Sequence, residues 1–70
     1  MGKVLRAFRE ESGLTQIKLS ELANLDRTYI SALERGVKFC SVNVLFKLAA
    51  ALKVSPTEII RRVEKQGQGK

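Results

Sequence analysis

Seventy residues carry thirteen Lys and Arg against seven Asp and Glu, a net charge of +6, with 44% apolar residues, 6% aromatics and no Trp. A chain this short holds one domain, near the lower size at which an apolar core sustains a fold, and that core must come from Leu, Ile, Val and Ala. The charge surplus suits a polyanion rather than a membrane, because no apolar run approaches the ~20 residues of a span and no basic amphipathic anchor is present. A single cysteine, Cys40, excludes an internal disulfide and fits a reducing cytoplasm. The basic start MGKVLRAFRE has no signal-peptide core, and Arg6 stands where a myristoylation signal requires Ser or Thr, so a soluble cytoplasmic protein is expected.

Alternating β-branched runs and Asn-Gly or Asp-Gly turns are missing, so the chain reads as all-α, five helices separated by short stops. Val4, Leu5 and Phe8 lie at helical spacing in KVLRAFREESG, and Gly13 stops that first helix. Thr15 caps a second helix, QIKLSELA, with Leu19, Leu22 and Ala23 as its inward stripe, and Asn24, tolerant of left-handed backbone, ends it. Asp26 caps a third helix from Arg27 to Arg35, closed by Gly36. The segment VKFC crosses to Ser41, the cap of VNVLFKLAAALK, whose inward residues are Val42, Leu45, Leu48, Ala49 and Leu52. In the fifth helix Ser55 is the cap, Pro56 the first residue and Glu58 the third, which forms a capping box. The domain is placed at residues 1–63, and EKQGQGK, residues 64–70, reads as a flexible tail because it loses apolar residues and gains Gly.

The third helix divides into faces. At about 100° per residue, Arg27, Thr28, Ser31, Ala32 and Arg35 fall within an arc of about 140°, with Ile30, Leu33 and Glu34 outside it. The outward arc carries no acid. Arg bridges the two acceptors of a guanine edge, hydroxyls bond phosphate or base, and Ala sits against a thymine methyl. An ordinary solvated face has a similar composition, so context decides. A helix ending at Ala23, the turn NLD and a helix starting at Arg27 make a helix-turn-helix, whose second helix lies in the major groove. Small Ser20 lets the two helices approach, and Ile30 and Leu33 lock the second to the first.

From GLTQIKLSELANLDRTYISALERG through SVNVLFKLAAALKVSPTEI the sequence resembles the Cro/CI-type (XRE) helix-turn-helix domain, the compact five-helix DNA-binding module of phage repressors and many bacterial regulators. The resemblance runs from about Leu5 to Ile60 and rests on features recurring in order: Gly13-Leu14-Thr15-Gln16, Leu19, Leu25, Ile30, Glu34-Arg35-Gly36, Leu45, Leu48-Ala49, Leu52 and Val54-Ser55. Ser20 stands where the family usually has Ala, Asn24 where it has Gly, and Phe39-Cys40 where polar residues and a Pro are common. NLDRTYIS is especially similar to the controller proteins of restriction-modification systems, small dimers that bind operators before their own gene and the endonuclease gene.

The resemblance implies roles for further residues. Gln16 would contact a phosphate and brace the recognition helix, with Thr15 donating beside it, where free N–H groups and the helix dipole favour an anion. Arg9 on the first helix would pair with Glu34 at the end of the third and orient it. A homodimer patch on the last two helices would use Val44, Phe46, Ile60 and Val63, residues left over by the inward stripes. Other readings stand beside these: Thr15 also caps, Arg9 is otherwise solvated, and Phe46 or Ile60 otherwise completes the core. Lys38 either touches DNA or is an idle surface Lys, Tyr29 either bonds a phosphate, reaches toward the minor groove side or packs, and Cys40 is a filler. With no His, no metal-ligand cluster and no Gly-rich phosphate loop, neither an enzyme nor a metal, cofactor or small-molecule ligand is expected. The partners expected are a pseudo-palindromic DNA duplex and a second copy of the chain. The alternatives are a phage or mobile-element repressor, or an antitoxin-like protein-interaction module on the same fold.

Overall fold

The computed structural model describes residues 1–38 and 40–68, with side chains described through Lys65; Phe39 lies outside them. Five helices follow in order: α1 (Gly2–Glu11), α2 (Gln16–Ala23), α3 (Arg27–Glu34), α4 (Val42–Leu52) and α5 (Pro56–Gln68). The starts of α2 to α5 are each fixed by a short polar side chain that accepts a backbone N–H left over by the first turn, whereas α1 begins at Met1 with no side-chain cap. Thr15 Oγ1 accepts from Lys18 N at 3.0 Å, Asp26 Oδ1 from Thr28 N at 2.9 Å and Ser41 Oγ from Val44 N at 3.2 Å. In the capping box of α5, Ser55 Oγ accepts from Glu58 N at 3.2 Å while Glu58 Oε1 accepts from Ser55 N at 3.3 Å. The stops are left-handed residues, Asn24 at φ 56° after α2 and Gly36 at φ 77° after α3. Lys53 at φ 59° ends α4 in the same way, which its side chain gave no reason to expect.

The core is one cluster drawn from every helix: Val4, Leu5 and Phe8, then Leu19 and Ala23, Ile30 and Leu33, Leu48, Ala49 and Leu52, and Ile59. α2 packs on both α3 and α4, and α1 on both α3 and α5. Arg62 ties α5 to α1 through its guanidinium, 3.9 Å above the centre of the Phe8 ring and 2.8 Å from Glu11 Oε2.

Two residues expected to face inward are exposed instead. Leu22 is 52% exposed, and the inward line of α2 is Leu19, Ser20 and Ala23 instead. Leu22 and Ser20 lie on opposite sides of Leu19, and packing against two helices favours the side where the small hydroxyl allows close approach; Ser20 Oγ is satisfied by donating to Ile17 O at 2.6 Å. Val42, in the first turn of α4, is exposed because the core begins only further along that helix. α5 continues to Gln68, so residues 64–68 are helical, while 69 and 70 lie outside the described residues. Glu64, Lys65 and Gln66 are good helix formers and extend the helix that the capping box starts.

Candidate nucleic-acid interface

α2, the Asn24-Leu25-Asp26 turn and α3 place two short helices against each other through Leu19, Ala23, Ile30 and Leu33. On α3 the side opposite that contact carries Arg27 and Thr28, both exposed, and half-buried Ser31; exposed Arg35 follows as the C-cap, its Nε donating to Ser31 O at 3.4 Å. Among the described residues no hydrogen bond or ion pair engages the Arg27 guanidinium, and its donors face solvent. Lys38 is exposed on the segment that leaves α3. Tyr29 is half-buried and packs against the core.

Ala32 does not belong to this surface. It is 6% exposed, whereas the helical arc placed it outward. After Gly36 the chain doubles back, and the N–H groups of Val37 and Lys38 both donate to Ala32 O, at 3.0 and 3.4 Å. Burial of Ala32 narrows the open arc to Arg27, Thr28, Ser31 and Arg35.

Behind this surface lies a polar brace. Arg9 Nε donates to Glu34 Oε2 at 2.6 Å and Arg9 Nη2 to Glu34 Oε1 at 3.1 Å, a bidentate pair whose side chains are 12% and 4% exposed. Arg9 Nη1 also donates to Leu14 O at 2.8 Å, and Gln16 Nε2 to Glu34 Oε1 at 3.1 Å. Elements α1, α2 and α3 thus meet on one carboxylate. The Glu34 bonds hold the Arg9 guanidinium above its ordinary pKa, opposed by burial, so the cation persists at any ordinary pH. Gln16 is therefore engaged with Glu34, and exposed Thr15 beside it has its hydroxyl at the start of α2. The sequence had singled out Arg9, Gln16 and Glu34; the Leu14 carbonyl that completes the set has no side-chain signal.

On the opposite flank, Phe46 (58% exposed) and Ile60 (48%) project from α4 and α5, while Val44 and Val63 are half-buried and pack against the core. Val42, assigned inward from the sequence, joins the exposed set. It lines a groove of about 280 Å³ with Leu45, Ile59, Ile60 and Val63. Cys40 also borders this groove; its thiol lies 3.3 Å from Ser41 O, and burial pushes its pKa up, so it is a neutral filler. No cluster of His, Cys, Asp or Glu among the described residues is suited to a metal, and no helix there is long and apolar enough to cross a membrane.

Two braced helices joined by a tight left-handed turn, the second open along a basic, hydroxyl-bearing face, define the class of helix-turn-helix regulators. Comparison with known proteins agrees: the helix-turn-helix family model matches residues 5–59, and the chain belongs to that family. It is 37% identical over 60 residues to the immunity repressor protein of Bacillus phage phi105, covering 86% of this chain and 42% of that one. Control protein C.BamHI of Bacillus amyloliquefaciens is 37% identical over 60 residues, covering 84% of this chain and 74% of its own. Among solved structures, the restriction-modification controller protein C.AhdI from Aeromonas hydrophila superposes with a TM-score of 0.81 at 41% identity, over 83% of this chain and 88% of that one.

Proposed function

We propose that the protein is a sequence-specific DNA-binding regulator of the restriction-modification controller kind, acting on its operators as a homodimer. The observation that carries this reading is the open face of α3, Arg27, Thr28, Ser31 and Arg35, held rigid from behind by the Arg9–Glu34–Gln16 brace. A face without acids on a chain of net charge +6 suits the major groove. Thr15 at the start of α2 and Lys38 after α3 flank it as phosphate contacts. The similarity to C.BamHI and C.AhdI supports the controller role, and exposed Phe46, Ile60 and Val42 support pairing of two copies.

Selection of binding sites from a random duplex pool tests this. A two-fold symmetric consensus is expected, with affinity falling steeply between low and moderate salt. No enrichment, or enrichment of a single asymmetric half-site, overturns it. The similarity to a phage immunity repressor favours a second reading as a mobile-element repressor. Genomic copies of the consensus beside an endonuclease gene support the controller role, and copies confined to prophage sequence support the repressor.

A further inference from the structure

Gly2, the first residue of α1, is buried against the far end of the recognition helix. A methyl group added there would collide with the Glu34 carbonyl oxygen and stand 2.7 Å from the Leu33 oxygen and 2.9 Å from the Glu34 carbonyl carbon. These are backbone atoms in the last turn of α3, so no side chain can swing aside to make room. α1 thus touches α3 at two points seven residues apart, about 10 Å along its axis: the bare backbone at Gly2 and the Arg9–Glu34 pair. We infer that Gly2 is a positioning residue for DNA recognition, whose missing side chain lets α1 seat directly on the last-turn carbonyls of α3 and so fixes the pitch at which Arg27 and Thr28 enter the groove.

The mechanism is leverage. Ordinary van der Waals contact at 3.4 Å requires α1 and the last turn of α3 to part by about 0.7 Å at Leu33 O and by more at Glu34 O. α3 is eight residues long and pivots on buried Ile30 and Leu33, so a displacement at Glu34 is carried to Arg27 as a tilt. A tilt leaves the positive charge of the surface intact while spoiling alignment with base edges. Sequence preference should therefore suffer more than general affinity for duplex.

This inference rests on the DNA-binding reading above, and the experiment separates the two. Gly2→Ala is compared with the unaltered chain in affinity for the selected operator and for a scrambled duplex, each corrected for the folded fraction, and in backbone amide shifts of the free protein. The expected result is a tenfold or greater loss on the operator with less than a twofold loss on the scrambled duplex, and amide shifts reaching Arg27 and Thr28. Shifts confined to residues 1–5 and 33–36, with the operator preference unchanged, overturn it, as a merely local packing role predicts. If the unaltered chain prefers no duplex, the functional reading fails and the amide shifts alone decide the positioning. If Gly2→Ala does not fold, a chain cleaved to begin at Lys3 is compared with one cleaved to begin at Gly2, so that both lack Met1, which packs on the core; the same loss of operator preference is expected, and equal preference in the two overturns the inference.

Discussion

Arg27 stands in the first turn of α3 with its side chain in solvent, at the position from which a recognition helix reaches deepest into the groove. If it grips a guanine, Arg27→Ala costs about 1 to 3 kcal/mol of operator binding and relaxes preference at one base pair per half-site. Repeating the duplex selection with the variant checks this; an unchanged consensus removes Arg27 from the reading set. Lys38 differs, because a phosphate contact carries no sequence information. Lys38→Ala should weaken all duplexes alike and lower the salt dependence by about one charge, as titrations at several salt concentrations measure. Arg9 and Glu34 act behind the surface. With both side chains nearly buried, either Ala substitution strands a charge and should cost about 3 kcal/mol of folding stability, against ~0 to 1 for an exposed pair. Denaturant titrations of both single variants and the double variant give the coupling, and additive losses would show that the pair does not act as a unit.

At the level of the helix, starts and stops were the most legible part of the sequence, because Thr15, Asp26, Ser41 and Ser55 each carry a cap in their own chemistry and Asn24 and Gly36 carry a turn in theirs. Which residues face inward was less legible. Leu22 and Ser20 are both compatible with the periodicity of α2, and only the close approach of two neighbouring helices selects the smaller one. Ala32 is buried although helical spacing turns it outward, and Val42 lies in a first turn beyond the edge of the core. Lys53 is the least legible: nothing in a Lys side chain announces left-handed backbone. That conformation costs an L-residue about 1 to 2 kcal/mol, so Lys53→Gly should raise stability by about 0.5 to 1 kcal/mol after the greater freedom of unfolded Gly is counted. A rise in the thermal midpoint would register it, and a fall would mean that the Lys side chain contributes more than the strain takes away.

One copy of the whole molecule presents one reading helix, and a single module of this size covers an interface on the order of 600 to 1,000 Å². Two copies related by a two-fold axis, with recognition helices about 34 Å apart, would meet successive major grooves on one side of a duplex. The exposed residues of α4 and α5 are where such a pair can form, since Phe46, Ile60 and Val42 together leave more apolar surface open than a small solvated domain favours. Phe46→Glu or Ile60→Glu should shift sedimentation from dimer to monomer at tens of micromolar with little loss of helix content. A chain that is already monomeric at that concentration, and binds its operator as one copy, would rule out this assembly. Placement of this surface was only partly legible: Phe46 and Ile60 stand out as leftovers of the inward stripes, whereas Val42 was hidden by its helical register with Leu45.

The narrowed arc of α3 also bears on how such a protein can change over time. Arg27 and Thr28 contribute nothing to the core cluster or to the brace, which draws on Ile30, Leu33 and Glu34 of the same helix. On the proposed reading of the α3 face, recognition and holding thus fall to different residues within a single eight-residue element. If that reading holds, drift at Arg27 and Thr28 retargets the protein to a new operator while folding stays untouched, so paralogues in one cell can diverge into mutually insulated circuits by a few substitutions.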